Sequence, residues 1–197
     1  METRLAPIEN PTGFLMKLVY WFSKKQFGKV ITPLKVIYAR LPISFASFTQ
    51  RLPKLESKYQ ISKHLALLIR THVAQLNTCH FCIDIGKAEA MKAFPDQLDK
   101  FLSVSRFREL PSFSASERAA LQFAEELTLN KKVSDETFEE VSSYFTERQI
   151  VEIAWAVTHE HIYNLMNGAF NVGSDGLCQL PDTAPAKRAE AATVAYR

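Results

Sequence analysis

A chain of 197 residues is long enough to bury one hydrophobic core without staples and short for two full domains. It is 47% hydrophobic and 23% charged, and its net charge of +3 comes from scattered Lys and Arg, a basic bias too weak to argue for a nucleic-acid partner. Three cysteines make no disulfide framework, no run approaches the roughly 18 apolar residues of a membrane span, and Glu2, Arg4, Pro7 and Pro11 stand where a signal peptide would carry its apolar core, so the expectation is a cytoplasmic protein in a reducing compartment.

The hydrophobic period is helical almost throughout, and strand-like clusters such as Lys29 to Tyr38 are short and broken by Pro33. Residues 14 to 28, "FLMKLVYWFSKKQFG", predict an aromatic and basic helix ending near Gly28, with Pro33, Pro42 and Pro53 punctuating the chain from there to residue 60. Residues 1–60 therefore read as an N-terminal helical extension packed on a later core or on a neighbouring subunit. With Lys17, Lys24 and Lys25 among bulky apolar residues, the same helix could instead lie on an anionic membrane surface.

From Ser62 to Leu76, "SKHLALLIRTHVAQL" sets Leu65, Leu68, Ile69, His72, Val73 and Leu76 on one stripe, as a core-facing helix requires. Asn77 and Thr78 break it, and either can cap the next helix, leaving Cys79 in the first turn and Cys82 about one turn on; Pro95 stops that helix near Phe94. Capping boxes, Ser114 with Glu117 and Thr146 with Gln149, announce two later helices, and Ser134 caps "DETFEEVSSYF" between them. The whole is an all-α protein with a core over residues 61–179 and a loosely held tail, 180–197, that lacks large apolar residues except Val194 and Tyr196.

The chemistry concentrates in "LNTCHFCIDIGKAEA". Free backbone N–H groups at a helix start favour thiolate over thiol, and the Cys79-x-x-Cys82 spacing allows a reversible disulfide. Peroxide would oxidise the more acidic sulfur to a sulfenic acid, which its neighbour then condenses into a disulfide. The competing reading is that both cysteines are buried small hydrophobes. Structural zinc is the weaker alternative, because its other candidate ligands, His159 and His161, are two residues apart and turn to opposite sides of a helix. No cofactor beyond the dithiol itself is expected.

A redox thiol needs a proton relay. His80 lies inside the motif, on what should be a solvent-facing position. His72 shares an apolar stripe, and His161 keeps step with Ile150, Ile153, Ala154, Val157 and Leu165; for both, a buried structural histidine competes with a relay role. Asp84 should point elsewhere on the helix, toward an Arg or Lys, a reading that competes with a weaker role in the site, while Glu125 and Glu126 read as a solvated helix face and Cys178, in "GSDGLCQL", as a bystander thiol.

"VAQLNTCHFCIDIGKAEA" resembles the core signature of the carboxymuconolactone decarboxylase family, which includes the alkylhydroperoxidase D (AhpD-like) proteins, and "SASERAALQFAEELT", "VSDETFEEVSSYFTERQIVEIAWAV" and "NLMNGAFNVGSDGLC" extend the similarity over about residues 60 to 178. The resemblance implies a bundle of antiparallel helices, a homo-oligomer with cysteine sites near subunit contacts, and, as in the peroxidase branch, Cys82 as the peroxide-reactive thiolate with Cys79 resolving it. Three relay positions of that branch depart here: Gly86 and Phe81 stand where it carries histidines and Leu67 where it carries a glutamate. Asp84 in "CIDIG" is similar to a branch that keeps the dithiol without that histidine. The functional expectation is a thiol-dependent oxidoreductase acting on a small hydroperoxide or a dithiol reductant; the alternative is a non-redox, decarboxylase-like or small-molecule-binding oligomer with structural cysteines.

Overall fold

The structure, a computed structural model, describes residues 2–178, apart from the side chains of residues 45, 46, 48–50 and 53. The expected loose tail, 180–197, lies outside the described residues. Every regular element within them is helical: α1 (Phe14–Phe27), a π-helical turn (Leu34–Tyr38), α2 (Pro42–Glu56), α3 (Lys63–Leu76), α4 (His80–Ala93), a 3-10 turn (Pro95–Gln97), α5 (Leu98–Leu102), a second 3-10 turn (Val104–Arg106), α6 (Ala115–Asn130), α7 (Asp135–Ser142) and α8 (Glu147–Ala169). No strand forms among them, as the helical period requires.

Local chemistry sets the boundaries. Ser114 and Thr146 accept the N–H groups of Glu117 and Gln149, whose side chains return a bond to the capping backbone. Each box satisfies two donors that a helix start otherwise leaves orphaned. Ser134 caps α7 by accepting from Thr137. α1 ends on Gly28 at φ +74°, where its N–H reaches the Lys24 carbonyl at 2.9 Å and a side chain would be strained.

α3 is the central helix and packs against α4, α6 and α8. Leu65, Leu68, Ile69, His72 and Val73 of the expected stripe are buried, but so are Leu67, Thr71 and Ala74, while Leu76 is only half-buried. A helix touched from three sides buries more than one stripe, so the amphipathic pattern understated its burial. Leu68, Phe101, Phe107, Leu121 and Ile153 anchor the main core around it.

Glu125 and Glu126 are not the solvated face expected of them. Glu125 lies 3.2 Å from His72 Nε2 and accepts from Arg108 at 2.7 Å, which together hold its carboxyl down to about 2 against the cost of burial. Glu126 accepts from the Ser134 N–H and the Thr137 hydroxyl, tying α6 to the start of α7, and is likewise held at about 2. Glu125→Gln is expected to cost about 1–3 kcal/mol at neutral pH, because it leaves the buried His72 ring and Arg108 without their charged acceptor. Since the folded carboxyl titrates below its ordinary 4.5, this stability is complete above that value and is lost as pH falls toward 2. Urea midpoints of wild type and variant should therefore differ at pH 7 and converge on acidification.

The N-terminal extension closes over one end of this core. Met16 and Tyr20 hold α1 against Val30 and Leu34, and the Tyr20 hydroxyl donates to the Ile8 carbonyl at 2.7 Å. The extended segment before α1 donates from the Arg4 N–H to Phe170 and from the Ile8 N–H to Lys35. The opposite face of α1 points outward: Phe14 is 82% exposed, and Leu15, Leu18, Trp21 and Phe22 are exposed beside it. Among the described residues no helix is long and apolar enough to cross a membrane.

Candidate functional site

The dithiol sits where α3 hands over to α4. Asn77 closes α3, and its side-chain amide donates to Asn164 Oδ1 at 2.8 Å and lies 3.5 Å from His161 Nδ1. Thr78 then turns through the left-handed region at φ +51°, and Cys79, extended, is itself the N-cap of α4, its carbonyl accepting from the Ile83 N–H at 2.9 Å. This corrects the expected cap at Asn77 or Thr78: Asn77 is committed to α8, so the helix starts one residue later. Cys82 becomes the third residue of α4, with its N–H among the first-turn amides that have no intrahelical partner.

Cys79 and Cys82 are joined in a disulfide, with their Cα atoms 5.2 Å apart and each residue 6% exposed. Ala74, Ile83 and Tyr163 wall the pair. The side-chain amide of Asn167 points at both sulfurs, 3.4 Å from Cys82 Sγ and 3.8 Å from Cys79 Sγ. A donor placed there stabilises negative charge on sulfur once the disulfide opens.

The other sequence candidates fall in different places. His80 is exposed and lines an open pocket of about 530 Å³ together with Thr3, Pro7, Thr32, Gly173 and Ser174. His72 is buried, held between Glu125 and the edge of the Phe107 ring. His161 Nδ1 lies 3.5 Å from the Asn77 amide of the motif, and its other nitrogen lies 3.4 Å from the Thr128 hydroxyl; burial and then Lys131 lower its pKa. Cys178 packs 3.5 Å from Met91 Sδ, and burial pushes its thiol up. His159 turns away from His161, to Glu56 at 2.8 Å, and among the described residues no group of three His, Cys, Asp or Glu could hold a metal.

Asp84 does not reach an Arg or Lys as expected. Its carboxylate accepts from the Ser174 hydroxyl and from the backbone N–H groups of Asp175, Leu177 and Cys178, at 2.8 to 3.0 Å. Asp175 in turn accepts from the Thr32 N–H and hydroxyl. One carboxylate two residues past Cys82 thus ties the segment after α8, and through it the N-terminal extension, onto α4. A lone acid in an apolar helix carried no sign of backbone donors lying almost a hundred residues away.

The three departures from the peroxidase pattern are filled by packing. Leu67 belongs to the main core, and Phe81 packs with Val36, Ile37 and Val172. A Cβ on Gly86 would lie 3.3 Å from Thr71 Oγ1, so α3 and α4 approach too closely there for a histidine without displacement.

Sequence reasoning missed a polar stripe on α8. Glu160, Tyr163, Asn164 and Asn167 recur at helical spacing; Glu160, Asn164 and Asn167 are buried and Tyr163 is half-buried. Asn164 donates to Glu160 Oε1 at 2.7 Å, so a hydrogen-bonded line runs from Asn77 through Asn164 to Glu160. The available signal was four polar or phenolic residues at i, i+3, i+4 and i+7 along one face of the helix. Beside the stripe, Arg70 pairs with Glu56 at 3.3 Å and Glu89 at 2.9 Å.

The all-helical bundle that closes a C-x-x-C pair at a helix start has the AhpD-like fold: its structural neighbours are described as AhpD-like and peroxidase-related proteins. No family model matches the chain. It is 25% identical over 164 residues to the uncharacterized protein YnjA of Escherichia coli (strain K12), which spans 82% of this chain and 89% of that one. It superposes on an uncharacterized peroxidase-related protein of Silicibacter sp. TM1040 with a TM-score of 0.69, 23% identity, and coverage of 84% and 87% of the two chains. On the debrominase Bmp8 in its apo form the TM-score is 0.75, with 19% identity and 90% and 95% coverage. At these identities the structural likeness shows the fold.

Proposed function

We propose that this protein is a dithiol oxidoreductase that reduces a small hydroperoxide, cycling Cys79 and Cys82 between dithiol and disulfide in a reducing, cytoplasmic setting. The observation that carries this reading is the Cys79–Cys82 disulfide at the start of α4 with the Asn167 amide turned to both sulfurs. In the reduced protein the Cys82 thiolate attacks the peroxide; an S–O bond forms, the O–O bond breaks, and an alkoxide leaves and takes a proton. The Cys79 thiol then attacks the resulting sulfenic acid, forming the disulfide and releasing water. A dithiol reductant restores both thiols by exchange and ends as its own disulfide.

The pocket that reaches His80 supports an approach from the solvent side of the motif. The neighbours include peroxidase-related proteins and a debrominase, so the fold leaves the substrate to be chosen by such local pockets. The test is direct: the reduced protein with an excess of organic hydroperoxide, analysed by intact mass. Loss of two hydrogens, located to Cys79–Cys82, supports the reading; thiols that persist in the folded protein refute it in favour of structural cysteines.

A homo-oligomer belongs to the same proposal. The outward apolar face of α1, and Val151, Trp155 and Leu165 along α8, leave large apolar side chains exposed side by side, the kind of surface that marks a contact with another protein. Sedimentation of the full chain is expected to give more than one protomer, and Trp21→Glu to reduce the size. A wild-type monomer that floats with anionic vesicles would instead assign the α1 face, where no acidic residue lies between Glu9 and Glu56, to a membrane surface.

A further inference from the structure

The peroxidase cycle must protonate a leaving alkoxide, and the positions that supply relay groups in the peroxidase branch are here Gly86, Leu67 and Phe81. α8 offers a different group, joined by hydrogen bonds to the cysteine motif. Glu160 is a carboxyl that is only 7% exposed, bonded by Asn164, which is itself bonded to Asn77 of the cysteine motif. Tyr163, one turn along the same face, packs against the cluster of Ala74, Cys79 and Cys82; burial raises its phenol most, and the charges of Arg70, Glu56 and Glu160 act on it as well. We propose, building on the redox reading above, that Glu160 is the proton store of the dithiol, acting through the Tyr163 hydroxyl: it carries a proton while Cys82 is a thiolate and gives it up as the disulfide forms.

The charges around Glu160 explain why this carboxyl and not another holds the proton. Arg70 from α3 faces three carboxyls, Glu56 from α2, Glu89 from α4 and Glu160, and makes its bonds to the first two. His159 is also committed to Glu56, and the Nε of Arg70 and the Nε2 of His159 are buried without partners. Glu160 is thus left with an amide donor in a buried site. Burial pushes it up to about 7, with Glu56 and Glu89 adding to the rise and Arg70 and Asn164 opposing it. Opening the disulfide to a Cys82 thiolate adds a negative charge near the same helix face, which favours the protonated carboxyl further; closing it removes that charge.

The protons balance around the cycle. In the reduced state Cys82 is a thiolate, Cys79 a thiol and Glu160 a carboxylic acid. The alkoxide released by peroxide cleavage takes its proton from Tyr163, which is reprotonated by Glu160; the Cys79 thiol proton leaves in water. When a dithiol reductant reopens the disulfide, one of its two protons returns to a cysteine and the other to Glu160.

The experiment is an oxidised-minus-reduced infrared difference spectrum of the full chain poised with dithiothreitol near pH 7, which needs no peroxide and so stands apart from the test of the peroxidase reading. A protonated-carboxyl band gained on reduction, and lost in Glu160→Gln, is the expected result. Absence of the band in wild type, or its survival in Glu160→Gln, overturns the proposal. In parallel, the rate of peroxide-driven disulfide formation should show an inflection near pH 7 that Glu160→Gln and Tyr163→Phe both lose. Their rates at neutral pH should fall about 10- to 100-fold, toward the lower end of what a positioned acid contributes. If Glu160→Gln does not fold, Tyr163→Phe decides alone: an unchanged pH profile there rejects the relay while leaving the dithiol function intact. A wild type with the carboxyl band but no reaction with peroxide would reject the peroxidase reading and keep the proton store.

Discussion

Cys82→Ser is expected to remove hydroperoxide reduction altogether, a loss of about 10³-fold or more of the kind seen when a covalent nucleophile is deleted. Position assigns Cys82 that role. It is the third residue of α4, at the positive end of the helix, and the Asn167 amide lies nearer its sulfur, at 3.4 Å, than that of Cys79, at 3.8 Å. Cys79→Ser should behave differently. Without added reductant Cys82 can still be oxidised once, but no protein thiol resolves the sulfenic acid, so a single equivalent of peroxide is consumed and a sulfenic-acid trap such as dimedone labels Cys82. Turnover with a dithiol reductant, followed with organic hydroperoxide, separates the two variants. Wild-type turnover in Cys82→Ser would end the reading.

The second large effect is on stability. Asp84→Ala is expected to cost about 2–4 kcal/mol, because it strips the acceptor from the Ser174 hydroxyl and from three backbone N–H groups at once, each of which then loses a bond in a partly buried site. Asp84→Asn should recover only part, since one of its two oxygens becomes an amide donor facing other donors. Burial raises the Asp84 carboxyl, but the bonds from Leu177, Cys178, Ser174 and Asp175 outweigh it and hold the group below its ordinary 3.8. A folded value below the unfolded one means the stabilisation is complete above the usual carboxylate range and drains away as pH falls through the folded value. The gap in melting temperature between wild type and Asp84→Ala should therefore be widest at neutral pH and close below about pH 4. A gap that stays constant down to pH 2 would show that Asp84 holds the segment after α8 by packing and not by its charge.

Much of the helical layout was written in local chemistry. Ser62, Ser114, Ser134 and Thr146 start helices because a side-chain oxygen three residues before a free N–H needs nothing from the rest of the fold. The same locality made the C-x-x-C pair at the start of α4 legible, since its spacing and its helix are adjacent in sequence. Where a reading failed, the deciding partner was distant. Glu125 and Glu126 looked solvated until His72, Arg108, Ser134 and Thr137 were brought against them. The cap of α4 slipped to Cys79 because Asn77 found Asn164. Glu160 had no visible significance in a helix read for its apolar period.

The sequence by itself determined that the described chain is helical, where most helices begin, and that two cysteines stand at the start of one of them, because capping, period and spacing act within a few residues. Only the tertiary structure decided what faces those cysteines. Burial and charge at the site depend on which helices meet there, and it is the packing of α8 on α3 that sets Asn167 and Tyr163 beside the dithiol and joins Glu160 to Asn77 through Asn164, and of the segment after α8 on α4 that surrounds Asp84 with backbone donors.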